Sequence, residues 1–194
     1  MTQRVLNVGG NSKAIPIPPH YNGWEHHLLD IDPTGKPDIV CDARTMTTLP
    51  AGGYDAVWCS HNLEHYWRHD LPRVLAGFLH VLKSDGYAEI RVPDMKAVFE
   101  EMLKRPMDID DVLYESPAGP ITVNDVIYGY GRKIAESGAD FYAHRNGFTH
   151  RSLVMALKGA GFGAVFTGSG PFEISALAFK SAPTPAQRAL FGLR

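Results

Sequence analysis

Apolar residues along this chain occur first as short unbroken runs closed by turn residues, and later as stripes with a period near 3.6. Arg4-Val5-Leu6-Asn7-Val8 stops at Gly9-Gly10, His27 to Ile31 stops at Asp32-Pro33, and Asp38 to Cys41 stops at Asp42. Tyr54 to Ser60 follows the Ala51-Gly52-Gly53 turn, and Tyr87 to Val92 ends at Pro93. Runs that are apolar throughout, rather than alternating, predict parallel strands covered on both faces. Leu71, Val74, Leu75, Phe78, Leu79 and Leu82 fall on one helical stripe, with Asp70 as its cap and Asp85-Gly86 as its end.

A second helix is predicted from Asp94 with Val98, Phe99, Met102 and Leu103 inward, and a third from Thr149 through Leu153, Ala156 and Leu157 to Gly161. Strand and helix in alternation give an open, doubly wound, mostly parallel α/β sheet. The pattern changes near the end, where Ala164 to Thr167 and Ile174 to Phe179 are joined by a Gly-Ser-Gly-Pro turn and predict an antiparallel hairpin. After Gly10, Pro16, Pro18 and Pro19 rule out a regular helix, so an extended loop is expected there. Residues 106–148 form an insertion with weak periodicity and many functional side chains. Residues 1–182 are read as one domain, and residues 183–194 as a loosely held C-terminal tail.

Composition narrows the function classes. A chain of 194 residues that is 44% hydrophobic and 21% charged is ordinary for a globular protein, and a net charge of -2 gathers neither nucleic acid nor anionic lipid. No secretion signal or membrane-length apolar run is read, so a cytoplasmic protein with no membrane partner is expected. Cys41 and Cys59 lie in separate strand segments and make neither a disulfide scaffold nor a metal framework.

Open parallel sheets bind ligands beyond the carboxyl ends of their strands. Gly9, Gly10, Asp30, Asp42 and His61 all fall at such ends. The glycines admit close approach to the backbone, a carboxylate after the second strand suits a ribose diol, and one after the third suits an exocyclic adenine amine. The segments "RVLNVGGNS", "HHLLDIDP", "PDIVCDA", "YDAVWCSHNLEHY", "VLKSDGYAEIRVPD" and "HRNGFTHRSLVMALKGAGF" stand in an order and spacing that resemble class I S-adenosylmethionine-dependent methyltransferases, above all small bacterial proteins of methyltransferase type 11. The resemblance covers nearly the whole chain. It implies a Rossmann-like, seven-stranded sheet with a reversed last strand, and S-adenosyl-L-methionine as cofactor with S-adenosyl-L-homocysteine as product.

By the same resemblance, Gly9 and Gly10 match the loop that holds the methionine part of the cofactor, and Asp30 matches the ribose acid, with Ile31 beside it. Asp42 and Ala43 match the adenine segment, and Ser60-His61 matches the loop under the sulfonium. The family's loop carries an acid where this chain has Asn7 and a third glycine where it has Asn11-Ser12.

Methyl transfer needs collinear nucleophile, methyl and sulfur, and a base only when the acceptor is protonated. His61 is the first candidate base, with His144 and Tyr142 of the insertion as further catalytic candidates and Tyr128, Arg145 and Asp94 as acceptor contacts. The insertion's aromatics suit a small, partly apolar acceptor, and equally a lid or a contact in a homodimer. His61-Asn62-Leu63-Glu64-His65 spells the H-x-x-E-H pattern of a zinc-peptidase class. That pattern needs a helix, whereas here it follows a strand directly, so no metal is expected and a zinc hydrolase through His61, Glu64 and His65 is the remote rival. A non-catalytic binding or scaffold protein with an altered glycine loop is the nearer one. A nicotinamide enzyme would need a fuller glycine turn opening a helix.

Overall fold

The structure, a computed structural model, describes residues 2–193. The chain runs through β1 (Arg4–Val8), β2 (Glu25–Asp30), β3 (Ile39–Val40), β4 (Tyr54–Ser60), α1 (Leu71–Val81) and β5 (Leu82–Pro93). After these come α2 (Met95–Lys104), β6 (Val112–Ser116), β7 (Gly119–Thr122), α3 (Val123–Tyr128), α4 (Gly131–Ser137) and α5 (His150–Ala160). It closes with β8 (Ala164–Gly170), β9 (Glu173–Phe179) and α6 (Pro185–Phe191). Seven strands form one sheet in the order β3-β2-β1-β4-β5-β9-β8, parallel except for β9, which is antiparallel to both β5 and β8. This is the doubly wound sheet with a C-terminal hairpin expected from the hydrophobic pattern. The direction of winding reverses between β1 and β4.

Period-2 alternation sends the strand residues to two different cores. Leu6, Val8, Val57, Cys59, Ala88 and Ile90 pack with the stripes of α1 and α5. Val5, Ala56, Trp58, Tyr87 and Phe179 point the other way and meet Tyr21, Trp24 and Phe191. That second face explains two features of the sequence together. The proline-rich segment after Gly10 forms no regular helix, only a turn over residues 12–15 and a 3-10 turn at Pro19–Tyr21, and its aromatics cover the sheet where a helix would otherwise lie.

Residues 183–193 are a packed element rather than the expected loose tail, whose last residue, 194, lies outside the described residues. Pro183 is buried, Thr184 and Gln187 form a capping box, and Phe191 sets its ring 5.2 Å from that of Tyr87. The reason is the uncovered face just described, which offers α6 apolar area to bury.

Two helix expectations also change. The α1 stripe ends at Val81, and Leu82 is already extended and paired with Tyr54, so strand pairing stops the helix before Asp85-Gly86. In α2 the inward residues are Met95, Val98 and Met102, whereas Phe99 and Leu103 are 49% and 87% exposed. The helix faces the insertion rather than the sheet, and 95, 98 and 102 is the stripe that serves that contact. Residues 106–148 hold the β6–β7 hairpin, α3 and α4, whose Leu113, Val123 and Val126 share a small core with Val98 of α2. Among the described residues no helix is long and apolar enough to cross a membrane.

Candidate active site

β1 leads into Gly9, whose φ of +72° is a conformation that side chains disfavour, and a Cβ there would stand 2.0 Å from Asn62 Nδ2. The glycine therefore lets the β1 and β4 loops close on each other. Asp30 ends β2, only 8% exposed, and its carboxylate accepts from the amides of Asn11 (2.8 Å) and Asp32 (2.9 Å). These donors fix the carboxylate while each oxygen keeps a further lone pair for a ligand hydroxyl.

Asp42 follows β3 and caps the 3-10 turn Ala43–Thr48 by accepting from the Arg44 amide at 2.9 Å. The Arg44 guanidinium closes on the same carboxylate, with Nη2 2.6 Å from Oδ2. Burial pushes the Asp42 carboxyl up, but Arg44 outweighs it and holds the group below its ordinary range.

His61 follows β4 with a φ of +49°. Its Nε2 lies 2.9 Å from Glu173 Oε2 and its Nδ1 3.4 Å from Glu64 Oε1. Burial opposes charge on the ring, yet Glu173 and Glu64 overcome it and raise His61 to about 10. Nε2 makes the hydrogen bond, to Glu173, and Glu64 stands as a second negative charge on the Nδ1 side, so both neighbours favour the charged form of the ring.

Gly9, Asp30, Ile31, Asp42 and His61 line a cleft of about 580 Å³, closed on its outer side by Lys133, Phe141, Tyr142 and Arg145 of the insertion. The Tyr142 hydroxyl donates to Asp32 Oδ2 at 2.8 Å and straps the insertion across the end of β2. Burial and Asp32 push its phenol up to about 12. His144 stands elsewhere, in a second cavity of about 280 Å³ that it shares with His61, Tyr114, Phe172 and Glu173. Burial lowers the His144 imidazole from its ordinary value.

Other sequence candidates do not line the cleft. Asn7 is buried under Gly10, whose Cβ would meet its Nδ2 at 2.2 Å, and Ala43 is covered at 1% exposure. Ser60 and Gly10 are half-buried outside the lining. Tyr128 is largely exposed, and Asp94 is occupied as the cap of α2, accepting from Lys96 and Ala97. Leu63–His65 make a single 3-10 turn, not the helix that the zinc-peptidase arrangement requires.

Residues that sequence reasoning missed include Asn11, Arg44, Asn62 and Lys133, all in the cleft wall. Asn11 carried a signal, because asparagine tolerates the left-handed φ of +59° found there after a glycine pair. Lys133 carried none, since only the fold of the insertion brings it to the strand ends.

Strand order, switch point and reversed hairpin together define a Rossmann-like α/β fold, and the cleft sits where such sheets hold their ligands. Residues 23–90, from the approach to β2 into β5, match the family model described as methyltransferase domain. Solved structures agree over almost the whole chain. A methyltransferase from Archaeoglobus fulgidus aligns with TM-score 0.60 at 17% identity, covering 92% of this chain and 86% of that one. One from Methanosarcina mazei gives 0.58 at 15% identity and 93% of both chains. A Burkholderia thailandensis 1,6-didemethyltoxoflavin-N1-methyltransferase, solved with that substrate and S-adenosylhomocysteine, gives 0.52 at 16% identity and covers 93% of this chain and 72% of that one. A search of curated protein sequences finds no match.

Proposed function

We propose that the protein transfers a methyl group from S-adenosylmethionine to a small acceptor through an oxygen or nitrogen nucleophile. The observation that carries this reading is the strand-end cleft, where a glycine in the left-handed region, an amide-fixed Asp30 and a side-exposed Ile31 meet within one wall. Its volume of about 580 Å³ suits a nucleoside-sized ligand.

The donor set fits the cofactor part by part. Gly9 brings its loop backbone into the cleft wall, Asp30 has acceptor capacity for both ribose hydroxyls, Ile31 offers an apolar wall for the base, and Asp42, shared with Arg44, supplies an acceptor beside it. When bound, the cofactor supplies a sulfonium methyl, and transfer makes the acceptor–carbon bond as the carbon–sulfur bond breaks with its electron pair on sulfur. The chain's own task is then to align the acceptor and exclude water.

His61 belongs to both cavities, so the smaller one is the acceptor pocket in this reading, with Tyr114 and Phe172 stacked 5.9 Å apart as its apolar wall. The cationic ring orients an acceptor or its developing charge rather than taking its proton. Tyr142 keeps the insertion closed through Asp32, and the whole insertion acts as lid and selector.

A fold that binds without catalysing is the second reading, and one observation favours it. The bidentate Arg44–Asp42 pair occupies the acceptor that adenine would use. Incubation with methyl-labelled S-adenosylmethionine and pools of small phenols, amines and carboxylates decides between the two. Label should pass to a small molecule, and His144→Ala should lower that rate while affinity for S-adenosylhomocysteine stays near wild type. Tight cofactor binding with no transfer to any pool would favour the non-catalytic reading.

A further inference from the structure

Between the two cavities, Glu64, His65 and His144 each bring one potential ligand atom within 4.8 Å of the other two. His65 lines the cleft and His144 the smaller cavity, so the cluster bridges both. We propose that these three residues bind a divalent transition-metal ion, zinc in the simplest case.

The state of each side chain supports this independently. Glu64 is 1% exposed and neither of its carboxylate oxygens accepts a hydrogen bond, with the His61 ring standing 3.4 Å off. The His61 ring faces only Oε1, so Oε2 is left buried without a hydrogen-bond partner, which is costly. His65 Nδ1 lies 3.2 Å from the Ala143 carbonyl and His144 Nδ1 lies 2.9 Å from the Val126 carbonyl. A carbonyl only accepts, so both Nδ1 atoms carry the proton and, in the neutral rings, both Nε2 atoms keep a lone pair. Metal-binding histidines are held in this way, with the second nitrogen donating to a carbonyl or carboxylate.

Two imidazoles and one carboxylate suit zinc and its divalent neighbours and leave coordination positions open. Ligand atoms about 2.0–2.2 Å from a tetrahedral zinc lie roughly 3.3–3.6 Å apart, so the side chains close by on the order of 1 Å. This revises the expectation of a metal-free site. The H-x-x-E-H pattern pairs His61 with His65, whereas the fold replaces His61 by His144 from the insertion.

On the methyltransferase reading, on which this role rests, the metal stands beside the acceptor pocket that His144 lines. An acceptor hydroxyl bound there has its pKa lowered and releases its proton to solvent, which supplies an oxyanion. The acceptor class then narrows to compounds with a coordinating oxygen.

The full chain, purified without a histidine tag and freed of metal by chelation, is titrated with zinc by calorimetry and with cobalt by visible absorption. Wild type should take up one equivalent, raise its unfolding temperature with zinc, and show the intense d–d bands of a low-symmetry cobalt site. Glu64→Gln and His144→Ala should each weaken zinc binding at least about tenfold, whereas the exposed His69→Ala should not. Absence of stoichiometric uptake by wild type, or unchanged affinity in both variants while circular dichroism shows them folded, overturns the site. Should Glu64→Gln fail to fold, His144→Ala and the cobalt spectrum still decide. Titration with S-adenosylhomocysteine on the same samples separates the claims. Zinc binding without it keeps the metal site and removes the methyltransferase reading, and the reverse removes only the metal.

Discussion

Gly9 and Asp42 are the residues where local physics constrains the site most. At Gly9 an alanine would meet both a left-handed backbone and the Asn62 amide, so Gly9→Ala should lower stability by about 1–3 kcal/mol, read from urea denaturation. At Asp42 the folded-state pKa is lowered, so its protonation is more favourable in the unfolded chain. The stabilisation is present above the unfolded value near 3.9 and is lost as pH falls through the folded value. Between pH 7 and pH 3 the urea midpoint should therefore fall further in wild type than in Asp42→Asn. Equal falls would show that Arg44 does not stabilise the carboxylate. The strand-end acids were legible in the sequence because each closes an apolar run. The charge on His61 was not, because Glu173, 112 residues away, reaches it only through the folded hairpin.

Elements were legible where one face met one partner. The α5 stripe, with Thr149 and Ser152 capping it and Gly161 in the left-handed region after it, is as its sequence reads. Thr149→Ala should lower stability by roughly 1 kcal/mol, measured by the same denaturation. Elements that depend on a distant surface were misread. The tail carries a readable capping box, Thr184 to Gln187, but its seven-residue helix has too few turns to show a stripe, and the sheet face that holds it is set by residues 17–24 and β5. Phe191→Ala should lower stability by about 2 kcal/mol, less than a fully buried phenylalanine because the ring is only half-buried. A loose tail would leave stability unchanged. The α2 face was misread for the same reason, since its partner is the insertion core and not the sheet.

At the scale of the molecule, the parallel strands, their winding and the reversed hairpin follow from unbroken apolar runs and one Gly-rich turn, and they place the strand ends together without further information. The insertion obeys no such period. Its position over the cleft depends on single tertiary bonds, such as Tyr142 to Asp32 and the Arg145 amide to the Glu64 carbonyl at 2.7 Å. The strand-end half of the site was therefore readable and the insertion's half was not. The central claim is that the cleft binds the adenosyl cofactor through the ends of β1, β2 and β3. Calorimetric titration of wild type and Asp30→Ala with S-adenosylhomocysteine tests it most directly. Wild type should show saturable one-to-one binding, and the variant a loss of about 1.5–3 kcal/mol, roughly ten- to hundredfold in Kd. No binding by wild type, or equal affinity in a folded Asp30→Ala protein, would contradict it.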